Sequence, residues 1–126
     1  MRILICEDDE AQLNWLACRL NHEGKFVFTT VQGDRAFVEW QKGRPWDFVV
    51  TDYSFLPGEK IRNGRDLVRE IHLVDPSQKI IVQTGERDLV VPLGVKLLRK
   101  PYSFHRLVRA MRAMQALKPA AHVASD

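Results

Sequence analysis

The sequence has only two cysteines, Cys6 and Cys18, and neither belongs to a CxxC pair or has a metal-ligating neighbour at a useful spacing. A disulfide framework and a cysteine metal site are therefore excluded, and both residues are predicted to be buried thiols. No apolar run approaches the ~20 residues that a membrane helix needs, and the apolar stretch 2–6 is too short for the core of a signal peptide. We therefore expect a cytoplasmic protein without a membrane partner.

The sequence also lacks a block of Lys or Arg. The net charge is +3 and the positive residues are spread along the chain, so nucleic-acid binding is not expected. With 45% hydrophobic and 28% charged residues in 126, the composition is typical of one globular domain. We place a single domain at residues 1–117 and a flexible tail at 118–126, and we find no linker to a second domain.

Apolar runs rich in β-branched residues alternate with amphipathic stretches, which predicts an α/β fold. Strands are expected at 2–6, 25–31, 47–51, 79–84 and 95–99, and helices over about 13–20, 36–43, 67–75 and 107–114. Between the fourth and fifth strands, Pro92 and Gly94 leave little room, so the fourth helix should be short or absent. We predict a doubly wound, five-stranded parallel sheet of flavodoxin-like order 2-1-3-4-5, with helices on both faces.

Several polar residues stand where the predicted strands end. They are Glu7 and Asp8 after the first strand, Asp52 after the third, Thr84 at the end of the fourth and Lys100 after the fifth. Carboxyl ends of parallel strands share one edge of the sheet, where ligands bind. Clustered carboxylates repel one another unless a cation bridges them, and oxygen ligands suit Mg²⁺. The pattern predicts a magnesium site at this edge.

A carboxylate can also act as a nucleophile toward phosphorus. Asp52 suits that role, while Lys100 and a metal ion would offset the charge on the transferring phosphoryl oxygens. The hydroxyl of Thr84 could donate to one of those oxygens. Asp9, by contrast, is predicted only to begin a helix, since acids favour the first helical turn.

Four segments together resemble the receiver domain of bacterial response regulators, of the stand-alone, chemotaxis-regulator-like kind. They are the stretch 3–9, the stretch 47–53, Thr84 and the stretch 98–102, and the resemblance runs from residue 1 to about 117. It implies that Asp52 is the phosphoacceptor, that Glu7 and Asp8 are the acidic pair, and that Asp8 is the more direct metal ligand.

The same resemblance assigns four further positions. Ser54 matches the residue whose main-chain carbonyl binds the metal, Thr84 matches the switch hydroxyl, and Lys100 matches the lysine that contacts the phosphoryl group. Pro101 matches a proline that usually follows a cis peptide bond.

The sequence departs from the resemblance in two places. The loop from Asp52 to Gly64 is longer than in most receivers, and we expect residues 59–63 to be exposed and mobile or partner-facing. Leu97 stands where the family generally carries an aromatic residue that responds to the switch hydroxyl. We therefore expect phosphorylation of Asp52 without the usual coupling between that hydroxyl and an aromatic ring.

The resemblance implies a phosphorylation-dependent signalling switch, served by Mg²⁺ and by a histidine kinase or phosphotransfer protein. It would act on a downstream protein by contact, and a homodimer is left open. It would not be a dedicated enzyme, although self-catalysed phosphorylation and dephosphorylation of Asp52 are expected. Two alternatives remain: a haloacid-dehalogenase-like phosphatase, disfavoured because Tyr53 and Ser54 supply no second carboxylate, and a degenerate receiver acting as a constitutive binding module.

Overall fold

A computed structural model describes residues 1–30, 32–92 and 94–116, so the predicted tail at 118–126 lies outside the described residues. The strands are β1 (Arg2–Cys6), β2 (Phe26–Thr30), β3 (Phe48–Asp52), β4 (Ile80–Thr84) and β5 (Val95–Arg99). The helices are α1 (Glu10–His22), α2 (Gly33–Gly43), α3 (Gly64–Val74) and α4 (Phe104–Ala116). Each predicted strand is present, with its ends moved by at most one residue.

The five strands form one sheet in the order β2-β1-β3-β4-β5, and every neighbouring pair is parallel. All five residues of β3 and of β4 are buried, as expected for central strands covered on both faces. One core cluster joins the sheet to α1 and α4, and a second joins its other face to α2 and α3. The predicted α/β fold class, with helices on both faces of a parallel sheet, is confirmed.

Side-chain caps set the starts of two helices that begin near the carboxyl edge of the sheet. Asp9 accepts a hydrogen bond from the Gln12 amide at 3.1 Å, so its predicted role at the start of α1 is confirmed. Asn63 accepts from the Asp66 amide at 3.0 Å and begins α3 in the same way. Asp8 directly precedes the cap residue of α1.

The segment between β4 and β5 contains no helix in its described residues, 85–92 and 94, which confirms the prediction for this region. The chain crosses from one strand to the next through irregular backbone. Leu89 is buried against the second core cluster, and the Val95 amide bonds the Pro92 carbonyl at 3.2 Å as β5 begins. A short apolar anchor therefore takes the place of a helix.

The prediction that both cysteines are buried is wrong for Cys18. Leu13, Leu16 and Leu20 form the buried stripe of α1, and Cys18 lies on the opposite, exposed side of the helix. Cys6 is fully buried in β1, and burial raises the pKa of its thiol to about 12. The Cys6 thiol is therefore unreactive at neutral pH. None of the helices in the described part of the chain has the length and apolar character needed to cross a membrane.

The enlarged loop, residues 53–63, is packed and hydrogen-bonded, so the predicted exposure of residues 59–63 is only partly right. Glu59, Lys60 and Arg62 are exposed, but Asn63 is half-buried and Ile61 is 2% exposed. Ile61 joins the second core cluster, because an apolar side chain of that size gains about 2 kcal/mol on burial.

The carboxylate of Asp34, near the start of α2, holds this loop in place. It accepts hydrogen bonds from the main-chain amides of Glu59 (2.8 Å), Lys60 (3.2 Å) and Ile61 (2.8 Å). These donors, the Ile61 amide foremost, lower the pKa of Asp34. Gly58 is required here, because a Cβ on it would overlap the Asp34 carboxylate. The loop is thus tied to α2 by one side chain.

Replacing Asp34 with Ala should loosen the loop while the sheet stays folded. We expect amide hydrogen exchange at residues 59–61 to accelerate by about tenfold or more, because three main-chain donors lose their acceptor. Mass-spectrometric exchange would measure this. Glu39→Ala is the matched control, since Glu39 lies on the same helix and pairs with Arg35 at 3.8 Å. Unchanged exchange in Asp34→Ala would contradict the anchoring role.

Candidate functional site

Three carboxylates meet at the carboxyl edge of the sheet. Glu7 and Asp8 directly follow β1, and Asp52 is the last residue of β3. Because β1 and β3 are neighbours with Cys6 opposite Thr51, these groups converge, and their ligand oxygens lie within 4.8 Å of one another. Glu7 and Asp52 are buried, whereas Asp8 is exposed. The three side chains offer only oxygen atoms as metal ligands, and the cluster is open to solvent on the side of Asp8.

Lys100 supplies the positive charge of the site. Its Nζ atom donates to Asp52 Oδ2 at 3.1 Å and to Glu7 Oε2 at 3.2 Å. Its main-chain amide bonds the Thr84 carbonyl at 2.7 Å, which ties the residue to the end of β4. The peptide bond between Lys100 and Pro101 is cis, as the resemblance implied. One ammonium group is therefore shared by two carboxylates that come from different strands.

Burial controls the protonation of this cluster. Glu7 is 1% exposed, and burial, together with the negative charge of Asp52, raises its pKa to about 7. For Lys100, burial lowers the pKa, but the charges of Asp52 and Glu7 more than offset this and the pKa is raised. The lysine therefore stays charged at neutral pH, while Glu7 gives up its proton less readily than an ordinary glutamate.

Thr84 and Ser54 lie at the border of the site. Thr84 is 3% exposed, and its hydroxyl oxygen accepts from the Glu86 amide at 3.0 Å, so its hydrogen is still available for donation. Ser54 is exposed in the loop that follows β3. The binding of a metal by its main-chain carbonyl stays a prediction.

The first residue of α3, Gly64, packs against the main chain of Asp52, the predicted phosphoacceptor, and of Tyr53. The Gly64 amide bonds the Tyr53 carbonyl at 2.7 Å. A Cβ on Gly64 would stand 2.7 Å from the Asp52 carbonyl oxygen, closer than real Cβ contacts allow. Only glycine permits this approach, and the contact fixes where the chain leaves β3.

Two residues in contact with the site were missed by the sequence analysis. Gln83, fully buried in β4, donates from Nε2 to Glu7 Oε2 at 2.9 Å. The Tyr102 hydroxyl donates in turn to Gln83 Oε1. A polar residue directly after the apolar run 80–82, and still inside the predicted strand, was the available signal, since a buried amide needs partners.

Leu97 lies in β5 opposite Val82 of β4 and packs against the second core cluster. It is half-buried. Its apolar side chain has no hydroxyl that could form a hydrogen bond when the Thr84 hydroxyl changes position. Whether this weakens the coupling from the switch hydroxyl stays a prediction.

No protein-family model and no curated protein sequence matches the chain, whereas many solved structures do. The chain is similar to a response regulator receiver domain from Clostridium thermocellum, with 26% identity, a TM-score of 0.77, and coverage of 90% of this chain and 92% of that one. It is similar to a response regulator receiver protein from Sinorhizobium medicae, with 25% identity, a TM-score of 0.78, and coverage of 90% and 93%. The fold is also shared with response regulator TrrA from Thermotoga maritima, at 23% identity, a TM-score of 0.76, and coverage of 90% and 97%.

The parallel sheet, with an acidic cluster and a lysine at its carboxyl edge, defines a flavodoxin-like α/β protein whose site lies at the strand ends. The similarity over nine tenths of the chain is to receiver domains of response regulators. Receiver domains of response regulators are phospho-aspartate signalling switches of two-component systems, and they are signalling modules rather than dedicated enzymes.

The raised pKa of Glu7 predicts how the stability of the metal-free protein depends on pH. In the unfolded chain a glutamate titrates near pH ~4.3, and in the folded protein Glu7 titrates at about 7. Below both values Glu7 is protonated in either state, and no penalty applies. Folding is penalised as pH rises between them, and the penalty is complete above the folded value.

Glu7→Gln, which stays neutral, should therefore be more stable than the wild type at pH 8, by on the order of 1 kcal/mol. At pH 5, close to the pKa of the unfolded chain, the advantage of the variant should be much smaller. Denaturant unfolding in EDTA at both pH values measures this. A difference of equal size at pH 5 and pH 8 would show that the effect is not the ionisation of Glu7.

Proposed function

We propose that Asp52 accepts a phosphoryl group from a histidine kinase or a phosphotransfer protein and that this modification switches the contacts of the domain with a downstream protein. The observation that carries the proposal is the placement of Lys100 Nζ, 3.1 Å from Asp52 Oδ2, beside two further carboxylates. A structural ion pair would need one acid. The surplus of carboxylates suits a centre that receives a cation and a phosphoryl group.

The transfer uses the groups already in contact. An Asp52 carboxylate oxygen attacks phosphorus, the new O–P bond forms, and the bond from phosphorus to the donor atom breaks. The electron pair of that bond leaves with the donor group. Lys100 would move its hydrogen bond from the Asp52 oxygen to a phosphoryl oxygen, and Thr84 would donate its free hydroxyl hydrogen to another. Hydrolysis by water reverses the modification, and both steps would be self-catalysed.

The residues at the site fit a Mg²⁺ ion. Glu7, Asp8 and Asp52 bring carboxylate oxygens within 4.8 Å of one another, and all are hard ligands of the kind Mg²⁺ prefers. The fourth protein ligand would be the main-chain carbonyl of Ser54. When bound, the ion would neutralise charge on the phosphoryl oxygens. The fold neighbour from Thermotoga maritima was solved in complex with Mg²⁺-BeF, which supports this assignment.

Partners and location follow from the same proposal. Receiver domains interact with histidine kinases and phosphotransfer proteins, and we propose a kinase of this type as the donor, with the exchange taking place in the cytoplasm. Two fold neighbours are RcsB bound to promoters. The positive residues of this chain are spread along the sequence without a Lys or Arg block, and we propose a protein as the downstream target.

The phosphoacceptor can be tested with a small phosphodonor. Incubation with acetyl phosphate and Mg²⁺ should add one phosphoryl group to the protein, seen by intact mass and located at Asp52 by peptide mapping. Asp52→Asn should abolish the gain, because the amide is not a nucleophile. Glu59→Gln is a control that alters an exposed charge outside the site. Normal modification of Asp52→Asn would reject the assignment, and no modification of the wild type would favour a degenerate receiver.

The metal ligands can be separated by two substitutions. Asp8→Asn should weaken Mg²⁺ binding by about tenfold or more, because it removes a charged oxygen ligand. Ser54→Ala should change the affinity by less than about twofold, because the main-chain carbonyl is retained. Calorimetric titration measures both. Loss of binding in a folded Ser54→Ala protein would mean that the hydroxyl is the ligand.

A further inference from the structure

Gln83 is an unusual side chain for its position. It lies in a central strand, follows three apolar residues and is fully buried. Burying an amide without hydrogen-bond partners costs about 1–3 kcal/mol in proteins. Both polar atoms of the Gln83 amide instead have hydrogen-bond partners, since Nε2 donates to Glu7 and Oε1 accepts from Tyr102. The amide therefore links the acidic cluster to the residue two positions beyond Lys100.

The two hydrogen bonds of this amide define its orientation. The NH₂ group donates to Glu7 Oε2, and the only donors of the amide are on that nitrogen. The carbonyl oxygen then faces Tyr102, whose hydroxyl has a hydrogen to donate. Burial, followed by the charges of Glu7 and Asp52, raises the pKa of Tyr102, so the phenol keeps that hydrogen. The phenol thus fixes the amide, and the amide fixes the carboxylate.

Glu7 is held by three donors from different directions. The Asp9 amide donates to Oε1 at 3.1 Å, while Gln83 and Lys100 both donate to Oε2. Without the Gln83 amide, Oε2 would keep Lys100 as its single donor, and that lysine is itself shared with Asp52. Glu7 would then be held less firmly beside Lys100. The balance between Lys100 and the acidic cluster therefore depends on a residue that lies outside the predicted set.

We propose that Gln83 and Tyr102 are positioning residues of the site: the Gln83 amide, oriented by the Tyr102 hydroxyl, holds Glu7 where it shares Lys100 with Asp52. The consequence for Mg²⁺ binding and for phosphorylation rests on the proposed function. The positioning of Glu7 itself can be measured without either ligand.

The first test compares two buried glutamines. Gln83→Leu should weaken Mg²⁺ affinity and slow labelling by acetyl phosphate, each by about tenfold, the effect expected when a residue that orients a ligand is lost. Gln78→Leu is the matched control. Gln78 is also buried and bonds Trp40 and Trp46 at 2.9 and 3.1 Å, but it precedes the amino end of β4, away from the site. It should lower the unfolding temperature and leave Mg²⁺ affinity within about twofold.

The second test asks whether the effect passes through Glu7. In a Glu7→Gln background, Gln83→Leu should have almost no further effect on Mg²⁺ affinity, since its target is gone. Tyr102→Phe keeps the ring and its edge contact with Trp15 at 6.5 Å, and should weaken affinity by about threefold. This variant also covers the case in which Gln83→Leu fails to fold. Additive effects in the double variant, or equal losses in Gln78→Leu and Gln83→Leu, would overturn the proposal.

A third measurement separates this proposal from the proposed function. The carboxyl ¹³C signal of Glu7, recorded in metal-free protein, should shift in Gln83→Leu and in Tyr102→Phe but not in Gln78→Leu. If the wild type neither binds Mg²⁺ nor accepts a phosphoryl group, the proposed function fails, and this signal alone decides the positioning of Glu7. An unmoved signal in both site variants would refute it.

Discussion

The structure of the site depends on one shared ammonium group. Lys100 lies within 3.2 Å of both Glu7 and Asp52, two carboxylates that the fold buries side by side. Without that charge, the repulsion between two buried acids would oppose the packing of β1 against β3. Burial, and after it the charge of Asp52, still raises the pKa of Glu7, so Lys100 offsets only part of the cost of ionising Glu7. A cation, or protonation of Glu7, would lower that cost further.

The sheet order is what delivers these groups to one place. Glu7 follows β1, Asp52 ends β3 and Lys100 follows β5, and the parallel order β2-β1-β3-β4-β5 points all of these ends the same way. The strand between Asp52 and Lys100, β4, contributes Gln83 and Thr84. The apolar strands thus form the core, and the polar side chains of the site follow at their carboxyl ends, which is the general arrangement of open α/β sheets.

Much of this could be predicted from the sequence, because strands with a continuous apolar character and acids at their ends are local signals. The convergence of Glu7, Asp8, Asp52 and Lys100 followed from the fold class, and the missing helix followed from Pro92 and Gly94. The link from Gln83 to Glu7 could not be predicted, since it joins residues 76 positions apart. The burial of Ile61 depends on packing between α2 and the loop, which no periodicity in the sequence reports. The exposure of Cys18, by contrast, follows from helical spacing, because Cys18 lies opposite the stripe of Leu13, Leu16 and Leu20.

The Asp34 carboxylate has a consequence for recognition. A long loop that is loose in the free protein loses conformational freedom when a partner binds it, at about 1–2 kcal/mol for each residue fixed. Here three main-chain amides are already held by one side chain, so residues 59–61 are ordered during folding. The exposed charges of Glu59, Lys60 and Arg62 are therefore presented on a preorganised surface. A protein that contacts this loop would meet a fixed pattern of charge at low entropic cost.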